Sequence, residues 1–264
     1  MAISLVVCGH VNSEYLRLFS ATWFNKIPVF THGWTGVDLF FVLSGFLIGK
    51  QLWKELERTG NIRFLRFFAR RGFRIWPLYY CFLLLLLFFL RVEKATNYEL
   101  WPDFLFLTNY HNGLVSGGWS LSTEEQFYIL VPLLFILLLK RIVLRFHGWV
   151  ILGIFASLPC IRWLVIGNST GNVADLIYAP IHTHCDGLVA GLALAWVAVV
   201  KPHWLQKRKA WINLSIFAAA LMGGMAIRSI NEDVFSFSSL GIIFGACVFC
   251  SLTDDSLYSK FVAR

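Results

Sequence analysis

A chain of 264 residues with 58% hydrophobic and only 14% charged side chains lies far from the soluble norm, where about 25% of residues are charged. The formal net charge of +8 would suit nucleic acid if the basic residues formed one surface. They stand instead in short segments between apolar runs, the pattern of cytoplasmic loops in a membrane protein. A soluble core and a nucleic-acid partner are thereby excluded. The expected fold is all-α, a polytopic transmembrane helix bundle in the lipid bilayer, with residues 1–264 as one domain.

Crossing about 30 Å of hydrocarbon at 1.5 Å per residue takes about 20 residues. Runs of that kind predict a partial first span at 1–11 and helices over 36–53, 75–91, 123–139, 149–166, 184–200, 211–228 and 235–252. Because each span switches sides, sidedness follows from the basic residues. Lys54, Arg58, Arg63, Arg66, Arg70, Arg71 and Arg74 precede the third span, Lys140, Arg141 and Arg145 follow the fourth, and Lys201, Lys207, Arg208 and Lys209 follow the sixth. All three clusters fall on one side, which is therefore expected to be cytoplasmic.

Ionisable groups at membrane depth are costly, so each is a functional candidate. His10 lies in the apolar stretch MAISLVVCGHV. A neutral imidazole there can take a proton from a hydroxyl near neutral pH, and the position also suits a histidine hydrogen-bonded between helices. In GVDLFFVLSGF, Asp38, Phe41 and Gly45 share one helical face. That face can be a polar site, or a helix start whose acid favours the macrodipole and whose glycine favours close packing.

Arg63, Arg66, Arg70 and Arg74 step along one face, with phenylalanines interleaved and Arg71 flanking the stripe. Such a row predicts an amphipathic element at the membrane surface, able to clamp phosphates or to bind lipid headgroups. Arg71 and Arg74 run directly into IWPLYY, at the membrane mouth.

In GGWSLSTEEQFYILVP, Ser122 with Glu125 three residues on predicts a capping box, which assigns Glu125 a structural duty and leaves Glu124 as the candidate carboxylate. The stretch HTHCDGLVAGLALA opens with His182, His184 and Asp186 and carries Gly187 and Gly191 four apart, a packing face. Two histidines at i and i+2 point to different faces of a helix, so no metal site is expected there. Cys247 and Cys250 sit in an apolar run and read as small hydrophobes.

Taken together in order, His10, GVDLFFVLSGFLI, RRGFRIWPLYY, WSLSTEEQFYILVP and HCDGLVAGLALA make the chain resemble the acyltransferase-3 family of membrane acyltransferases. The resemblance implies transfer of an acyl group, acetyl above all, from acyl-CoA to a hydroxyl of an extracytoplasmic carbohydrate. Acyl-CoA would be a co-substrate, with no permanently bound cofactor. It implies that Arg70, Arg71 and Arg74 hold the coenzyme A phosphates. His10 would be the catalytic base or a transient acyl carrier, Asp38 and Glu124 would complete the catalytic set, and the protein would be multi-pass in the cytoplasmic (inner) membrane.

Two features depart from the family pattern. The family pairs its histidine with an arginine eleven positions earlier, whereas nine residues precede His10, and it usually continues through further hydrophobic spans beyond the equivalent of Arg264. The domain is therefore expected to be incomplete at both ends. His184 also stands where the family often has arginine. The competing readings are a non-catalytic remnant and a transporter-like protein using Asp38, His10 and Glu124 as a polar relay.

Overall fold

The computed structural model describes residues 35–89, 99–115, 117–205 and 210–253. The expected first span and His10 lie outside the described residues, as do Lys207, Arg208 and Lys209. Among the described residues the regular structure is helical: α1 Thr35–Thr59, α2 Phe64–Phe89, α3 Trp101–Phe104, α4 Trp119–Leu137, α5 His147–Asn168, α6 Val173–Tyr178, α7 Asp186–Val200, α8 Ala210–Ile230 and α9 Glu232–Leu252. Six stretches, Thr35–Thr59, Phe64–Phe89, Trp119–Arg141, Leu144–Asn168, Trp211–Ile230 and Glu232–Leu252, are long and apolar enough to cross a membrane. The protein is an all-α, multi-pass membrane protein.

The helix boundaries correct the sequence reading in three places. First, the basic segment is helical, as its spacing predicts, but it is continuous with the span expected to begin at 75. α1 runs on to Thr59, α2 begins at Phe64, and Gly60 closes α1 at a φ of 68°, a left-handed conformation glycine adopts without a Cβ clash. Lys54 and Arg58 therefore lie on α1, and Arg66, Arg70, Arg71 and Arg74 lie within α2 itself. Second, α4 begins at Trp119, not at 123. Third, the helix expected at 184–200 is the 15-residue α7, about 22 Å long and so shorter than the hydrocarbon it was expected to span. Residues before Asp186 instead form a turn, with the amides of Thr183 and His184 bonded to the carbonyl of Pro180.

Pro77, Pro132 and Pro159 sit inside helices, which membrane helices tolerate because neighbouring groups satisfy the freed carbonyls. At α9, Asn231 caps the first turn by accepting from the amide of Val234 at 3.1 Å, and Glu232 and Asp233 follow, acids placed where the helix dipole favours them.

The chain divides into two compact units. One contains α1 up to Lys50, α5 from Gly148 to Trp163, and α7 to α9. There α1 and α7 approach at backbone contact. A Cβ at Gly45 would run into the carbonyl of Leu188, and one at Gly191 into the carbonyl of Val42, the close crossing that small residues permit between membrane helices. α7 and α8 both pack on α9.

The other unit contains residues 51–147 and 164–184, hence the end of α1, α2 to α4, and α6. Trp53 is fully buried against Phe135, ring centroids 4.8 Å apart. Its Nε1 donates to Nδ1 of His147 at 3.0 Å, while His147 Nε2 faces the carbonyls of Leu139 at 2.8 Å and Ile142 at 3.0 Å. The buried Asp103 carboxylate accepts from the amides of Leu114 at 2.6 Å and Val115 at 3.1 Å, and so ties down the loop that leads into α4. α2, α5 and α8 keep most of their apolar surface outward; only 6% of the α8 window is buried, the composition of a helix solvated by lipid.

Candidate functional site

Near its start α4 carries Ser122, Thr123, Glu124, Glu125, Gln126 and Tyr128 almost without interruption. In lipid such a run would be prohibitive. Here protein surrounds it: Glu124 is 3% exposed and Glu125 4%. Several of these polar groups are met by one from another segment of the same unit. Ser122 and Thr108 hydroxyls lie 2.7 Å apart, and Asn109 and Gln126 bond through both amide ends at 3.0 and 2.8 Å. Gln126 Nε2 also donates to the carbonyl of Phe106 at 2.9 Å, a residue held at a left-handed φ of 53°.

The two glutamates occupy different surroundings. Glu124 Oε2 accepts from the hydroxyl of Tyr128, one turn on, at 3.2 Å. Glu125 Oε2 accepts from Nε1 of Trp76 on α2 at 3.1 Å. The expected capping box is absent, because the N-cap is Gly118 and Ser122 lies a full turn inside the helix, turned to Thr108. Glu125 is thus freed from the structural duty assigned to it, and its Oε1 is buried with no hydrogen-bond partner among the described residues.

The arginines separate in the same way. Arg66, Arg70 and Arg74 are exposed along α2, whereas Arg71 is half-buried. Its guanidinium lies 5.8 Å from the ring centre of Phe67 and 5.5 Å from that of Tyr128, reaches Oε1 of Gln51 at 3.5 Å, and is near enough to Glu125 to act on it electrostatically. Gln51, Arg71, Tyr128, Glu124, Glu125 and Trp76 therefore form one polar cluster, with Tyr128 and both carboxylates buried and Gln51, Arg71 and Trp76 half-buried. The arrangement can hold an anion or polarise a carbonyl at Arg71, and accept hydrogens at the carboxylates.

A second buried group occupies the other unit. Asp38 is fully buried in the first turn of α1 with Phe41 on the same face, and a Cβ at Gly187 of α7 would approach its carbonyl at 2.9 Å. The face read from spacing is thus real, and its Phe41 and Gly45 lie where α1 meets α7. In the same unit Arg162 of α5, 0% exposed, makes a bidentate ion pair with Asp186 at 2.7 and 3.1 Å. It also donates to Ser238 Oγ and to the carbonyl of Val234. The sequence reading passed over Arg162, although an arginine inside a predicted span was the available signal.

His182 and His184 point apart, as expected, though from a turn and not a helix. His184 is buried against Trp119, rings stacked with centroids 5.4 Å apart, and bonds the carbonyl of Tyr178 at 2.5 Å. His182 lies 3.0 Å from the hydroxyl of Tyr110, and partial burial lowers its pKa from the ordinary histidine value. Tyr178, whose ring also meets Trp119 at 4.7 Å, is a polar aromatic that the sequence reading did not single out. Among the described residues no three His, Cys, Asp or Glu side chains are placed to hold a metal ion.

Comparison with known proteins gives this arrangement a context. The acyltransferase-3 family model, described as an acyltransferase domain, matches residues 1–262. Among curated proteins the chain is similar to the peptidoglycan O-acetyltransferase OatA of Listeria monocytogenes, 28% identical over 242 residues that make up 81% of this chain and 36% of that protein. It is similar also to the O-acetyltransferase OatA of Staphylococcus aureus, 27% identical over 295 aligned positions, 99% of this chain and 45% of that protein. The chain thus spans less than half the length of these relatives. No solved structure matches. With its motifs in order and an arginine–carboxylate cluster built from two of them, the chain belongs to the acyltransferase-3 family of membrane acyltransferases.

Proposed function

We propose that this chain transfers an acyl group, with acetyl the first to test, from acyl-CoA to a hydroxyl of a cell-surface glycan. The observation that carries the proposal is the cluster of half-buried Arg71 with buried Glu124 and Glu125 on helices long and apolar enough to cross a membrane. Lipid penalises such groups, and acyl transfer uses what they offer: a cation for a developing oxyanion and carboxylates for hydroxyl hydrogens. The relatives' names support an envelope glycan as acceptor, one of them being a peptidoglycan O-acetyltransferase.

In this reading Arg70, Arg71 and Arg74 receive the anionic donor, His10 is the base or transient acyl carrier, and Asp38 and Glu124 support the polar site. The protein lies in the cytoplasmic membrane with the arginine-rich helix ends inside, the side on which acyl-CoA is found.

Membranes carrying the full chain, supplied with radiolabelled acetyl-CoA and purified peptidoglycan or envelope polysaccharide, are expected to label the glycan. His10→Ala is expected to lower the rate at least about 100-fold, the size of a lost general base. Undiminished transfer by that variant would remove His10 from the mechanism. Substrate flux into liposomes without acyl-CoA would replace the enzyme reading with a transporter.

A further inference from the structure

The family motif presents Arg70, Arg71 and Arg74 as one basic group, but the structure divides them. Arg70 and Arg74 are exposed, together with Arg66 a turn earlier. Those side chains can meet a hydrated diphosphate or a lipid headgroup. Arg71 is turned the other way, between two aromatic rings and beside Gln51 and Glu125. A phosphate drawn to that position would lose its water beside two buried carboxylates, an expensive arrangement.

We propose that Arg71 serves the reacting acyl group and not the donor's phosphates, stabilising the negative charge that develops on the thioester carbonyl oxygen, with Glu125 as its positioning residue. The inference rests on the acyl-CoA reading above. Three features support it. The guanidinium is half-buried between the rings of Phe67 and Tyr128, and a fixed charge shielded from water acts more strongly on a transition state than one in bulk solvent. Glu125, held by Trp76 at 3.1 Å, supplies a counter-charge that acts on Arg71 through space, while Gln51 and the rings of Phe67 and Tyr128 flank the guanidinium. Glu125 Oε1 is buried without a hydrogen bond among the described residues, a costly state that the attacking hydroxyl relieves.

The bond changes balance without a further reactant. The acceptor oxygen attacks the carbonyl carbon, and a C–O bond forms as the carbonyl electrons move onto oxygen beside Arg71. The C–S bond then breaks, and the proton lost by the acceptor hydroxyl goes to the departing thiolate. Ester and free coenzyme A thiol result.

The test separates kcat from KM for the full-length chain in detergent, with acetyl-CoA as donor and the acceptor glycan at saturation. Arg71→Lys is expected to lower kcat about 100-fold, the loss of one oxyanion donor, while calorimetric affinity for coenzyme A stays within about threefold of the parent. Arg74→Gln is expected to act chiefly on donor KM. Glu125→Gln keeps shape and the Trp76 bond and is expected to lower kcat as Arg71→Lys does, with partial rescue by Glu125→Asp. This isosteric variant carries the test if Arg71→Lys does not fold. Coenzyme A affinity lost in Arg71→Lys with kcat intact at saturating donor, or parental kcat in Glu125→Gln, overturns the inference while leaving the acyl-CoA reading in place. A parent protein that neither binds coenzyme A nor transfers acetyl overturns both.

Discussion

Arg162 and Asp186 show at the scale of single residues what a charge inside a membrane protein requires. The guanidinium is fully buried, and its donors go to both oxygens of Asp186, to Ser238 and to the carbonyl of Val234. Removing one partner of such a pair strands the other, which typically costs about 3–5 kcal/mol. Arg162→Leu is therefore expected to leave little folded protein after detergent extraction, read by thermal unfolding. Arg162→Leu with Asp186→Leu is expected to recover much of the loss, because the double change leaves no unpaired charge. A single variant as stable as the parent would show that Asp186 finds another partner.

At the scale of helices, the packing of α1 on α7 depends on atoms that are missing. Gly45 meets the backbone of Leu188, and Gly191 meets that of Val42, so any side chain at either position must push the two helices apart. Gly191→Val is expected to lower thermal stability by several degrees and to reduce yield, from overpacking of about 1–3 kcal/mol or more. Gly153, where an added Cβ meets nothing within 4 Å, is the matched control: Gly153→Ala is expected to leave the unfolding temperature unchanged or slightly raised, since alanine favours the helix. Equal effects at the two sites would argue against the close crossing.

For the whole molecule, the testable property is direction in the membrane. Asn61, in the turn between α1 and α2, and Ser169, after α5, fall on opposite sides in the expected topology. With native cysteines replaced by serine, Ser169→Cys is expected to react with an impermeant maleimide in intact cells, and Asn61→Cys only after permeabilisation. The reverse pattern would invert the topology and remove the cytoplasmic arginines on which the donor reading depends.

Membrane location, helical class and family were legible in the amino-acid sequence because each rests on a local or summed property: apolar length, charge placement and short ordered motifs. Glu124, Asp38 and the RRGFR arginines stood out for the same reason, as polar residues in apolar surroundings. What the tertiary structure decided was who meets whom. Helical phase places Arg66, Arg70 and Arg74 on one stripe, yet nothing in phase says that Arg71 turns to Tyr128, or that Glu125 exchanges a capping duty for the indole of Trp76, 49 residues away. Arg162 and Ser238 are 76 residues apart and share a guanidinium bond. Burial in lipid is dictated residue by residue, whereas the relief of a buried charge depends on partners that only folding brings within 3 Å.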